Sequence, residues 1–119
     1  MTTVVFRTDP PGITARGHSD YAPRGRDIVC AAVSAVLSAL PETLTRLGIS
    51  SRVKTGDGYM LVEALPDNTN REDADTVFLF VLTAVELIEK SFPRCVRIER
   101  AATRERDCEI IRAYMEECV

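Results

Sequence analysis

His18 is the only histidine of the 119-residue chain, and Cys30, the first of its four cysteines, follows twelve positions later. A thiol that ionises, an imidazole that takes or holds its proton, and donors for a developing oxyanion are the parts of cysteine-dependent acyl transfer. Asp27 stands at an expected helix start, which places Cys30 in the first turn. Unsatisfied backbone N–H groups and the helix macrodipole favour negative charge there, and so favour a thiolate. The same N–H groups are the expected oxyanion donors. Asp27 and Ser34 lie at i−3 and i+4 from Cys30, on one helix face. Gly17 and Gly25 bracket the loop between His18 and the helix and would let it approach closely or hinge.

Each of these residues also has an ordinary structural reading. A cysteine within Ile-Val-Cys-Ala-Ala-Val is commonly a small buried hydrophobe. A lone histidine after glycine is a loop residue, an aspartate at a helix start is a cap, and a serine inside a helix bonds back to the preceding turn. A redox-sensing thiol is a third reading, although no resolving cysteine lies nearby in sequence. Cys95, Cys108 and Cys118 have no histidine near them and read as structural.

The elements that must hold such a site follow from pattern. Residues 3–8 are β-branched and aromatic, Asp9-Pro10-Pro11-Gly12 is turn chemistry, and residues 13–16 form a short return strand. Residues 19–25 read as a mobile, exposed connection. From Asp27 to about Leu47 the chain is helical, interrupted at Pro41, with apolar groups on nearly every face; a largely buried helix is expected. Residues 51–55 and 59–64 flank Gly56-Asp57-Gly58 as a hairpin. Asn70 is placed to cap a second helix running to about Ser91, and residues 95–99 alternate as a strand with Val96 and Ile98 inward. Thr103 to Cys118 places Cys108, Ile111 and Met115 at helical spacing, a short amphipathic helix that needs a surface to cover.

The resulting expectation is a two-layer α+β fold, ββ-α-ββ-α-β, with two main helices packed on one small mixed or antiparallel sheet, plus a C-terminal helix. Residues 1–100 form one domain and residues 101–119 a helical extension. At 45% hydrophobic, 28% charged and net −3, the composition excludes a disordered chain and a strongly basic nucleic-acid binder. No signal-peptide layout opens the chain, and the apolar run from Val77 to Ile88 is broken by Thr83 and Glu86, so no membrane association is expected. The cysteines form no zinc-like spacing with His18, so no metal is expected, and reduced thiols in a cytoplasmic protein are.

Gly17-His18 followed by Gly25-Arg26-Asp27-Ile28-Val29-Cys30-Ala31-Ala32-Val33-Ser34-Ala35 resembles the signature of the Prp-type ribosomal-processing cysteine proteases. The resemblance extends through Asp57-Gly58-Tyr59, the second helix and the final Val-Arg-Ile-Glu strand, over residues 3–99, and leaves the tail uncovered. It implies a small homodimer of the bacterial cytoplasm, without metal or organic cofactor. The implied activity is removal of the N-terminal extension of large-subunit ribosomal protein twenty-seven before ribosome assembly. By resemblance, His18 and Cys30 are the catalytic dyad, Asp27 and Ser34 the accompanying polar positions, and the intervening loop a segment that opens for substrate. Three departures stand out. Ser19-Asp20 replaces the usual alanine after the histidine and puts a second carboxylate beside the imidazole. The turn at 9–12 and its return strand are short. The tail adds a helix that could cover a dimer face or shield a groove. The alternative expectation is a non-catalytic dimeric domain that binds a peptide or ribosome-assembly partner, with Cys30 in the core.

Overall fold

The computed structural model describes residues 1–66 and 69–101. Strand β1 (Thr2–Thr8) turns at Asp9-Pro10, whose peptide is cis, into β2 (Pro11–Arg16). Helix α1 (Ile28–Arg46), β3 (Ser51–Gly56), β4 (Tyr59–Ala64), α2 (Arg71–Ser91) and β5 (Val96–Ala101) complete the order expected from the pattern. The C-terminal helix expected at Thr103–Cys118 lies outside the described residues.

The sheet is mixed, in the order β3-β4-β2-β1-β5. Its hairpins are antiparallel, β2 also pairs antiparallel with β4, and β5 joins β1 in parallel. A parallel partner cannot be reached by a tight turn, and α2 supplies the crossover. Both helices pack on one face. Val4, Phe6, Ile13, Ala15, Val62 and Val96 project from the strands to meet Val29, Val33, Leu37, Leu40 and Leu44 of α1 and Ala74, Phe78, Val81, Leu82 and Val85 of α2. The α1 set recurs at i+3 and i+4, so a single stripe carries the packing.

Several details differ from the expectation. Helix α1 is not buried all round: Ile28 is 60% exposed, and Ala31, Ser34, Ala35 and Ala39 face water. One sheet layer and one neighbouring helix can cover only part of a helix's circumference. Pro41 sits inside α1 without ending it. At a mean hydropathy of 1.7, α1 is apolar and long enough to cross a bilayer by composition alone, yet its stripe lies in the core. Asn70 stands at the start of α2, but its side-chain amide donates to the Leu47 carbonyl at 3.3 Å, and Glu72 and Asp73 supply the acidic first turn.

On the opposite face of the sheet, register places Val5, Arg7, Gly12, Thr14, Leu61 and Glu63 together. Arg7 and Glu63 form a buried ion pair there; Arg7 Nε also donates to the Pro10 carbonyl at 2.8 Å, and Arg52 Nη2 lies 3.3 Å from Glu63 Oε1. Gly12 makes room for the guanidinium, since a Cβ would stand 2.9 Å from Arg7 Nη2.

Candidate active site

Helix α1 begins where Asp27 leaves the extended region, at φ −85° and ψ 96°, and caps it. Asp27 Oδ1 accepts the Cys30 backbone N–H at 2.8 Å, while Oδ2 accepts those of Tyr21 at 2.9 Å and Ala22 at 3.4 Å. These donors, the Cys30 N–H foremost, hold the Asp27 carboxyl below its usual value of 3.8. One carboxylate therefore fixes the first turn of α1 and the loop above it. The Ala31 N–H is committed too, to the Asp27 carbonyl at 3.0 Å. The expectation that N–H groups around Cys30 await an oxyanion is corrected on this point, because two of them already have acceptors.

The loop expected to be mobile is exposed at its tip and tied at its base. Ser19 is buried with its Oγ 2.9 Å from Thr2 Oγ1, and the Tyr21 ring meets Phe92 edge-on with centroids 5.3 Å apart. Pro23, Arg24, Gly25 and Arg26 stand in solvent. Gly25 has φ +90° with nothing within 4 Å of a Cβ position, so its backbone conformation alone calls for glycine. Gly17, at φ +93°, is a close approach as well, since a Cβ would run into the Met1 carbonyl.

His18 leaves the end of β2 beside the β3–β4 turn. The Gly17 N–H donates to the Gly58 carbonyl at 2.8 Å, and a Cβ on Gly58 would lie 2.9 Å from His18 Nε2, so this turn is the floor beneath the imidazole. Asp57 Oδ1 is 3.9 Å from His18 Nε2, with both side chains more than half exposed. The carboxylate beside the imidazole is thus Asp57. Asp20, expected in that place, turns to the Met1 amino group at 3.1 Å. Sequence reasoning missed Asp57 and Gly58 as site residues because the β2–β4 pairing that brings them to His18 joins strands far apart in the chain.

Cys30 is a free thiol, half-buried rather than sealed in the core. It lines two adjoining depressions. One, of about 280 Å³, runs along the β3–β4 turn past Gly56, Asp57 and Tyr59. The other, of about 580 Å³, lies under the loop beside Arg24, Arg26 and Ala31. His18, Cys30 and Ser34 belong to the walls of both. The structure thus brings His18, Cys30 and Ser34 to one divide, with Gly17 lining the first depression and Asp27 and Gly25 the second. A chain laid from one depression into the other would pass along the residues the two share, Cys30 among them. Among the described residues, no three His, Cys, Asp or Glu side chains are grouped to hold a metal ion.

A family model described as cysteine protease Prp matches residues 1–97. Two crystal structures of the essential ribosomal processing protease Prp from S. aureus resemble the fold over 85% of this chain and 100% of theirs, at 23% identity. The one with a covalently linked product peptide has a TM-score of 0.76 and the one with a substrate peptide 0.72. SMU.848 from Streptococcus mutans is 25% identical over 86% of this chain and 93% of its own, with a TM-score of 0.64. No curated relative matches the chain.

Proposed function

The chain belongs to the family of the cysteine protease Prp, and from that premise we propose that it is an endopeptidase working through a His18–Cys30 dyad. The observation that carries this reading is the shared position of His18, Cys30 and Ser34 between two depressions. An extended peptide occupying both would present its scissile carbonyl at Cys30 Sγ. His18 takes the thiol proton, and the resulting ion pair keeps the sulfur nucleophilic. The thiolate attacks the carbonyl carbon, and the C=O electrons move to oxygen. With the Cys30 and Ala31 N–H groups engaged by Asp27, the Ser34 hydroxyl is the donor one turn along for that oxyanion. His18 then returns its proton to the leaving amine, and the C–N bond breaks to leave a thioester. Water, deprotonated by His18, hydrolyses the thioester and frees the thiol.

The substrate in this reading is the N-terminal extension of large-subunit ribosomal protein twenty-seven. Supporting it are the family signature around His18 and Cys30 and the S. aureus neighbours, which are ribosomal processing proteases holding substrate or product peptide. The reading also takes the protein to act in the cytoplasm as a homodimer, with residues 1–100 as the protease domain and 101–119 as an extension. Leu79, Phe80 and Leu87 stand 60–75% exposed on the outer side of α2, an apolar face suited to a second copy.

Alkylation with iodoacetamide tests the dyad. At mildly acidic pH, Cys30 is labelled much faster than Cys95 in the native protein, and His18→Ala removes the difference. Equal labelling of Cys30 with and without His18 would overturn the dyad.

A further inference from the structure

We propose that the free edge of β3 takes one arm of the bound peptide as a sixth strand, holding it by its backbone beyond the point of cleavage, a placement that rests on the peptidase reading and extends its site. Two contacts fix which way the β3 backbone faces. The Leu65 N–H donates to the Ser50 carbonyl at 2.9 Å, and Gly56 faces Tyr59 across the turn Asp57-Gly58. Ladder bonds in an antiparallel pair recur at every second residue, so Arg52, Lys54 and Gly56 bond to β4 while Val53 and Thr55 turn their N–H and C=O groups outward. Among the described residues, no hydrogen-bond partner meets them on that side, where β3 is the last strand. The other edge of the sheet is closed: the outward Ile98 N–H of β5 donates to Glu89 Oε2 at 2.8 Å. An open strand edge is a template for pairing with an extended chain, and folds commonly blunt an edge that they do not use.

The open edge is continuous with the site. Strand β3 returns from the far end of α1, and its last residues, Thr55 and Gly56, line the first depression together with Cys30, Ser34 and Ser38. Those α1 residues follow one another at i+4 along a single flank, ~12 Å from first to last. Val36 and Ala39, on the other flank, line the groove against α2. The depression is thus a trough between α1 and the strands, long enough for about four extended residues. A chain that leaves Cys30 along it comes out at Thr55. Val53 stands ~7 Å further along the edge, on the helix side of the sheet opposite Val62, with its side chain 42% exposed. An added strand would set its own side chains alternately toward the helix layer and away from it. The segment that fits is extended and carries a free N–H at every second residue, and proline at those positions is excluded.

Hydrogen exchange tests it, on Cys30→Ala mixed with a synthetic peptide spanning the extension and cleavage site of the ribosomal precursor. Binding is read from amide shifts at His18 and Ser34. With the peptide bound, exchange at the Val53 and Thr55 amides slows about tenfold or more, while Lys54, already in the ladder, is unchanged. Shifts at His18 and Ser34 without slowing at Val53 and Thr55 overturn the added strand and leave the peptidase reading standing. No shifts, together with no cleavage by the native protein, overturn both. Val53→Pro gives an independent reading, because it removes an outward N–H and leaves the bonds to β4 in place. KM for the peptide rises about fivefold or more with kcat kept, and iodoacetamide labels Cys30 at the native rate, which reports an intact site. Native-rate labelling with unchanged KM overturns the added strand.

Discussion

Asp27 holds Cys30 by the backbone: its Oδ1 accepts the Cys30 N–H at 2.8 Å while its Oδ2 accepts the Tyr21 N–H at 2.9 Å. The nucleophile and the loop over it therefore share one anchor. Moving the loop disturbs the turn that aims the thiol, and releasing the carboxylate frees both.

Asp27→Ala is expected to lower kcat/KM by on the order of 10- to 100-fold, since a misplaced nucleophile loses the near-attack geometry. Asp27→Asn keeps one acceptor oxygen for the Cys30 N–H and loses less. Stability should follow pH in a defined sense. The carboxyl is held below its usual value of 3.8 in the folded protein, so its contribution is complete above that value and disappears as pH falls through the lowered one. Thermal unfolding will show the native protein more stable than Asp27→Asn at neutral pH, with the gap closing in acid below that value.

Gly58→Ala is expected to impair activity more than Asp57→Asn. The new Cβ would press on His18 Nε2, and the residue's φ of +65° costs a side chain about 1–2 kcal/mol. Activity should fall about tenfold or more with the imidazole displaced. The Asp57–His18 pair is exposed and 3.9 Å apart, so Asp57→Asn changes kcat/KM by no more than about threefold, and added salt removes the difference. Steady-state kinetics on the two variants checks the order.

Arg7→Met leaves Glu63 buried with, among the described residues, the half-exposed Arg52 as its remaining cation. Breaking a buried pair on one side costs about 3–5 kcal/mol, whereas apolar replacement of both members is often neutral. Urea unfolding should show Arg7→Met strongly destabilised and Arg7→Met/Glu63→Leu restored to near the native midpoint.

Much of this arrangement is written locally in the chain. Asp9-Pro10-Pro11-Gly12 and Gly56-Asp57-Gly58 mark the two hairpins, the i+3 and i+4 recurrence of Val29, Val33 and Leu37 marks a helix, and Asp27 reads as its cap three residues before Cys30. Long-range pairing is what local pattern does not carry. Alternation in β2 and β4 is equally satisfied by several strand orders, and only the observed one sets Gly17 against Gly58 and so His18 against Asp57. For that reason sequence adjacency sets Asp20 beside the imidazole, whereas in the fold it turns to the Met1 amino group. The use of the Cys30 N–H was also hidden, because capping and oxyanion binding call on the same unsatisfied donors. Composition alone predicts a helix α1 buried all round, because it reports how apolar a helix is and says nothing of how many neighbours it has.

The most direct test of the central claim is cleavage of the extended ribosomal precursor, followed by intact mass. The account predicts a single shortened product with the native protein, none with Cys30→Ala, and a loss of roughly 10³-fold or more with His18→Ala. The same product appearing at equal rates with native protein and Cys30→Ala would contradict it.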